Sequence, residues 1–329
     1  MRRYSFSKIL LISLVFCITF LAQADSTYSK VYIFGDSLSD TGNLGSIVGG
    51  IPSPYVNNRI SNGPIAADTL AEKLGGSADA SLHLIGLNAG HNYSVAGAKA
   101  STNEVIDLNT QILSFQANHA SIAPSDALYV VFIGGNDIRA AVSEPDDVIA
   151  NTILQTANDN VKNAIIFLKN MGARSFLVIN APNIALLPET RLIAAATQSP
   201  TFIERATQLS KRYNKLLHNT VHELEDHNKS KITEFNLFKL FEKSIENASK
   251  LGITNTTEAC FRSRIPDFHP DCNFGLNAGQ FYFFDEIHPT TQVHTLFGEA
   301  FVKVITKDDD NDEDKKENEN EEDKDKVYF

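Results

Sequence analysis

Ser37 stands where a strand should stop and a turn should begin. Val31-Tyr32-Ile33-Phe34 ahead of it are β-branched or aromatic, as a buried strand requires, and Gly35-Asp36 breaks the run. A side chain at such a strand end projects into the crevice where open α/β sheets bind ligands. A serine hydroxyl attacks a carbonyl only when a base takes its proton. Asp285-Glu286-Ile287-His288-Pro289 offers that base, a carboxylate and an imidazole three positions apart that would share one side of a helical turn. Ser37 as nucleophile, His288 as base and Asp285 as the group that fixes the imidazole tautomer make a hydrolase the first expectation. Such an enzyme loses activity on acidification, because a protonated imidazole accepts no proton. Plainer roles compete: Ser37 as a helix cap, Asp285 and His288 as a surface pair.

Phe34-Gly35-Asp36-Ser37-Leu38-Ser39-Asp40-Thr41-Gly42-Asn43 resembles the first block of the GDSL (SGNH) lipase/esterase family. Three further blocks follow in the family's order: Asn92-Tyr93-Ser94-Val95-Ala96-Gly97-Ala98, Gly134-Gly135-Asn136-Asp137, and Asp285 to His288. The resemblance spans Val31 to about Thr306. It implies a three-layer α/β/α, flavodoxin-like sandwich around a mostly parallel five-stranded sheet. It also implies an oxyanion hole made of the Ser37 and Gly97 backbone N–H groups and the Asn136 amide. Glycine permits close backbone approach and an uncharged amide donates without perturbing a histidine. Gly97 serving only packing, and Asn136-Asp137 forming an ordinary turn, are the alternatives.

Arg59-Ile60-Ser61-Asn62-Gly63-Pro64 is similar to a segment of secreted bacterial phospholipases A, lysophospholipases and glycerophospholipid:cholesterol acyltransferases of this family. That implies a phospholipid or lysophospholipid substrate, a sterol as an alternative acyl acceptor, and transient contact with a membrane surface. Ile51, Tyr55, Ile60 and Phe281-Tyr282-Phe283-Phe284 are candidates to line an acyl site, or aromatic packing around the last strand. Ile60 and Ala66 depart from the aromatic residues that relatives carry there. A short-chain or carbohydrate esterase, and an inactive lipid- or glycan-binding module, are the rival functions.

The elements that must position these groups follow from periodicity. Strands are expected at Val31–Phe34, around Asn92–Val95, at Leu128–Ile133, at Ser175–Asn180 and at Lys231–Phe235, with helical patterns between them. Ile149, Ile153, Leu154, Ala157, Val161, Ile165 and Leu168 recur at helical spacing, and Gly172 sits where a C-cap belongs. Further helices are expected from Thr201 to Glu225 and from His294 to Val304.

The first 24 residues read as an export signal: Arg2, Arg3 and Lys8, then an apolar stretch from Ile9 to Leu21, then Ala22-Gln23-Ala24. The expectation is one domain over residues 25–306, exported to the periplasm or beyond. A tail, 307–329, holds twelve acids and five lysines and is expected to be disordered. Of the formal charge of −11, that tail supplies −7, so the body is only mildly acidic and shows no basic stripe for nucleic acid. Cys260 and Cys272, twelve apart, are expected to form a disulfide in an oxidising compartment, with two free thiols as the alternative. No cofactor or metal is expected. His218 and His222 lack the glutamate of a zinc-protease motif, and Asp267-Phe268-His269 has the wrong spacing for the family block.

Overall fold

The computed structural model describes residues 28–199, 201–225 and 230–306. The expected signal and acidic tail lie outside the described residues. From the N-terminus come β1 (Val31–Gly35), α1 (Asn43–Val48), α2 (Ala66–Lys73), α3 (Leu108–Asn118), β2 (Leu128–Phe132), α4 (Gly135–Ser143) and α5 (Asp147–Met171). Then follow β3 (Ser175–Ile179), α6 (Pro188–Thr197), α7 (Thr201–Glu225), β4 (Lys231–Phe235) and α8 (Leu237–Glu246). Short strands β5 (Asn255–Ala259), β6 (Phe261–Arg262), β7 (Asp267–Phe268) and β8 (Phe281–Phe283) precede a last helix, α9 (291–306).

β1 to β4 form one parallel sheet in the order β1-β2-β3-β4. β1 and β2 are buried at every position, as strands covered on both faces must be. The rings show which helix covers which face. Tyr129 meets Phe115 of α3, while Phe132, three residues on and therefore on the opposite face, meets Phe301 of α9. The molecule is thus a three-layer α/β/α sandwich. α5 buries Ala150, Leu154, Ala157, Val161, Ala164, Ile165 and Leu168 along one side, starts at an Asp146 cap that accepts from Val148 N–H, and ends at Gly172.

The expected fifth strand is reduced to a bridge. Ile33 N–H donates to His91, and Tyr93 and Val95 N–H donate to Ile33 and Gly35, so residues 91–95 lie parallel beside β1. Asn92 is also bridged to Ala80, and the buried Asn92 side chain donates to Ser39 carbonyl and Thr41 hydroxyl. On its other side Asn92 N–H donates to Asp79 and Ser81 N–H donates to Asn92, so the segment is shared between β1 and a loop and holds only isolated bridges.

Residues 255–283 form a small module. β5 pairs with β8, β6 pairs with β7, and Cys260 is bonded to Cys272 across 5.3 Å between Cα atoms. Phe261, Ala278, Phe281 and Phe284 join the disulfide in a core separate from the main one.

Candidate active site

Ser37 lies in the turn after β1, at the carboxyl end of the sheet. Ser39 and Asp40 N–H donate to Asp36 carbonyl, and Leu38 N–H donates to Asp36 Oδ1, so the turn is closed around the serine. Asp40 is buried and accepts from the N–H groups of Gly42, Asn43, Leu44 and Ala96, which fastens the first block to the second. Burial raises the Asp40 pKa while those four donors pull against it. Asp137 accepts from Ala100 and Ser101 N–H, tying the third block to the segment just after the second.

From the far end of the chain His288 arrives beside Ser37, its Nε2 2.7 Å from the serine Oγ. His288 Nδ1 lies 2.8 Å from each oxygen of Asp285. Asp285 and His288 are nearly fully buried. They do not sit on a helical turn. Residues 284–288 bend, and Asp285 Oδ1 accepts from the N–H groups of Ile287 and His288, so an Asx-type turn brings the carboxylate back over the ring. Burial alone would raise the Asp285 pKa, but the charge and hydrogen bonds of His288, with the Tyr55 hydroxyl, hold it below the ordinary carboxylate range. Asp36 differs: desolvation pushes it up to about 6 against the opposing Leu38 N–H and His288.

Asn136 opens α4 immediately after β2. Its Nδ2 donates to Ala98 carbonyl at 3.0 Å, leaving its second N–H available, and its Oδ1 accepts from Arg139. The turn before it needs Gly134: with φ +119°, any Cβ there would strike the Tyr213 ring at 2.4 Å. Gly97 has φ +88° and is exposed. Among the described residues, the N–H groups of Ser37 and Gly97 donate to no protein acceptor.

A small cavity of about 30 Å³ beside Ser37 is lined by Leu38, Pro182, Ile184, Leu187, Phe241 and Phe297 among others, enough for about two waters. Asn136, Arg139 and Ile184 also border a wider vestibule of about 370 Å³ that reaches Gly97, Lys99 and Phe202. The apolar residues expected at the acyl site are elsewhere. Phe281, Tyr282, Phe283 and Phe284 are almost fully buried, and neither Ile51 nor Ile60 lines the cavity beside Ser37. Tyr55 donates to Asp285 Oδ2 at 2.7 Å and packs edge-on against Phe261 and Phe284.

Sequence reading gave no role to Tyr55 in holding the carboxylate, nor to Arg139. It also missed how the Arg59-to-Pro64 segment serves the base: Ser61 Oγ donates to Pro289 carbonyl, and Asn62 Oδ1 accepts from Thr291 N–H. His269 lies in the disulfide module against Glu258, while Asp267 pairs with Arg262. His218 is bonded to Glu234. No group of three or more His, Cys, Asp or Glu placed to hold a metal occurs among the described residues.

An alcohol on one imidazole nitrogen and a carboxylate on the other is the arrangement of serine acyl transfer. A family model described as GDSL-like Lipase/Acylhydrolase matches residues 31–301. The chain belongs to that family. This GDSL enzyme is 26% identical over 326 residues to a phosphatidylcholine-sterol acyltransferase of Aeromonas hydrophila, covering 84% of this chain and 90% of that protein. It is 26% identical over 322 residues to a GDSL esterase/lipase of Arabidopsis thaliana, covering 84% of this chain and 87% of the other. Among solved structures, a carbohydrate acetylesterase from Sinorhizobium meliloti covers 84% of this GDSL chain and 98% of its own, at 13% identity and a TM-score of 0.45.

Proposed function

We propose that this enzyme hydrolyses the acyl ester of a phospholipid or lysophospholipid through an acyl-serine, and passes the acyl group to a sterol or other alcohol when one reaches the site. The observation that carries this is the 2.7 Å contact between Ser37 Oγ and His288 Nε2, backed by Asp285. Ser37 Oγ bonds the carbonyl carbon as its proton moves to His288 Nε2. The tetrahedral oxyanion receives the N–H groups of Ser37, Gly97 and Asn136. The C–O bond then breaks, and His288 returns the proton to the departing alcohol. Water, or an acceptor alcohol, enters by the same steps reversed, and Asp285 stabilises the imidazolium throughout.

The lipid assignment draws on the acyltransferase relative and on the apolar lining beside Ser37. Phe274 and Leu276, 82% and 81% exposed at the tip of the disulfide module, suit contact with a lipid surface. The signal-like composition of the first 24 residues and the Cys260–Cys272 disulfide accord with export to the periplasm or medium. One observation favours a second reading, a short-chain or carbohydrate esterase: the cavity touching Ser37 is only about 30 Å³.

Purified protein incubated with mixed phospholipids, with and without cholesterol, and separately with nitrophenyl esters of increasing chain length decides between them. Released fatty acids, and sterol esters when cholesterol is present, are expected. A strong preference for acetate with no fatty acid released from phospholipid would overturn the lipid assignment.

A further inference from the structure

Resting on the reading of Asn136 as an oxyanion donor, we propose that Arg139 and Glu189 are positioning residues that fix which end of the Asn136 amide faces the substrate. Only the NH₂ end stabilises an oxyanion; a flipped amide would present a lone pair to a developing negative charge. Two contacts oppose the flip. Arg139 Nη1 donates to Asn136 Oδ1 at 2.8 Å, and Ala98 carbonyl accepts from Nδ2 at 3.0 Å. Reversal would set a guanidinium against an amino group and a carbonyl against an oxygen. The retained orientation occupies one N–H on Ala98 and leaves the other for the reaction.

Arg139 can impose this only if it is itself immobile. Residues 136 and 139 lie three apart on α4, so they share a face. The guanidinium is gripped on its other side by both oxygens of Glu189, Nε to Oε2 at 2.7 Å and Nη2 to Oε1 at 2.8 Å. A two-pronged contact fixes the plane of the guanidinium as well as its position. Glu189 is only 14% exposed at its side chain, and its backbone N–H donates to Glu286 carbonyl at 2.8 Å, next to Asp285. One chain of contacts therefore runs from the oxyanion amide to the turn that carries the base. Glu189 Oε1 also accepts from Arg264 Nη2 at 3.4 Å, a longer contact than either bond to Arg139, so Arg139 remains paired and acts on the amide by geometry.

The experiment is a double-mutant cycle on the full chain with a nitrophenyl ester, reading kcat and KM separately. Arg139→Met is expected to lower kcat about 10- to 100-fold, with KM within about twofold. Arg139→Lys should fail to restore kcat, since an ammonium lacks the fork. In an Asn136→Ala background, adding Arg139→Met should change kcat less than about threefold, because the amide to be oriented is gone. Losses that multiply in the double variant would overturn the proposal. Glu189→Gln, which keeps shape and removes the charged grip, carries the same cycle if Arg139→Met does not fold. Full kcat in Asn136→Ala alone would instead remove the reading of Asn136 on which the proposal rests.

Discussion

The nucleophile half of the site and the base half are held by different means. Ser37 and Asn136 follow adjacent strands of the parallel sheet, and buried Asp40, Asn43, Asn92 and Asp137 cross-link the loops around them through backbone groups. His288 and Asp285 sit in a bend between a three-residue strand and α9. That bend is kept in place by Tyr55, by Ser61 and by the disulfide module, whose core is separate from the main one. The first half inherits its geometry from the sheet; the second relies on a few contacts between residues far apart in sequence. Loosening should therefore reach the base half first.

The largest expected effect comes from the disulfide. Replacing both Cys260 and Cys272 by serine should cost about 3 kcal/mol in the chain-entropy account. If the halves are held independently, activity should be lost in mild denaturant before the far-UV signal of the main sheet. Coincident loss of both would merge the two halves into one cooperative unit.

Next in size is a change on the nucleophile side. Asp36 titrates near 6 in the fold and near 3.8 when unfolded. The folded state binds the extra proton between those values, so the stabilisation Asp36 gives is complete below 3.8 and gone once the pH passes 6. Asp36→Asn keeps an acceptor for Leu38 N–H and removes the buried charge. It should raise unfolding free energy at pH 8 by up to about 3 kcal/mol and by under about 1 kcal/mol at pH 4, as read by denaturant melts at the two pH values. An equal gain at both would show that the carboxylate charge is not the cause. His83 and His294 act oppositely: burial lowers them to about 4 and about 3, so the stability they contribute is lost as the pH falls below 6.5.

Tyr55→Phe should have the smallest effect, since it removes one hydrogen bond and keeps the ring. A fall in kcat of about tenfold with KM unchanged is expected, because Asp285 loses a donor that holds its orientation. Unaltered kcat would mean that the backbone N–H groups of Ile287 and His288 suffice.

The uneven legibility of the molecule has the same origin. Ser37 and β1 to β4 could be read because strand composition and the motif blocks are local signals, and α7 runs over the span its periodicity predicts. Asp285 and His288 were found by their block, while the inferred helical turn was wrong: the aspartate's bonds to Ile287 and His288 N–H make a tighter bend. Tyr55 lies 230 positions from Asp285, and no local pattern announces such a contact. Arg139 was within reach, since the three-residue spacing from Asn136 on a helix predicts a shared face. The four aromatics at 281–284 suggest either an acyl site or packing around the last strand, because they directly precede Asp285. They are buried between two cores, Tyr282 and Phe283 facing the main one, Phe281 and Phe284 the disulfide cluster.

The convergence of Ser37 with His288 is tested most directly by peptide mapping after reaction with a fluorophosphonate. One adduct on the peptide bearing Ser37 is expected, forming about 10³-fold or more slowly in His288→Ala. An adduct on another residue, or labelling of Ser37 at an unchanged rate without His288, would contradict the account.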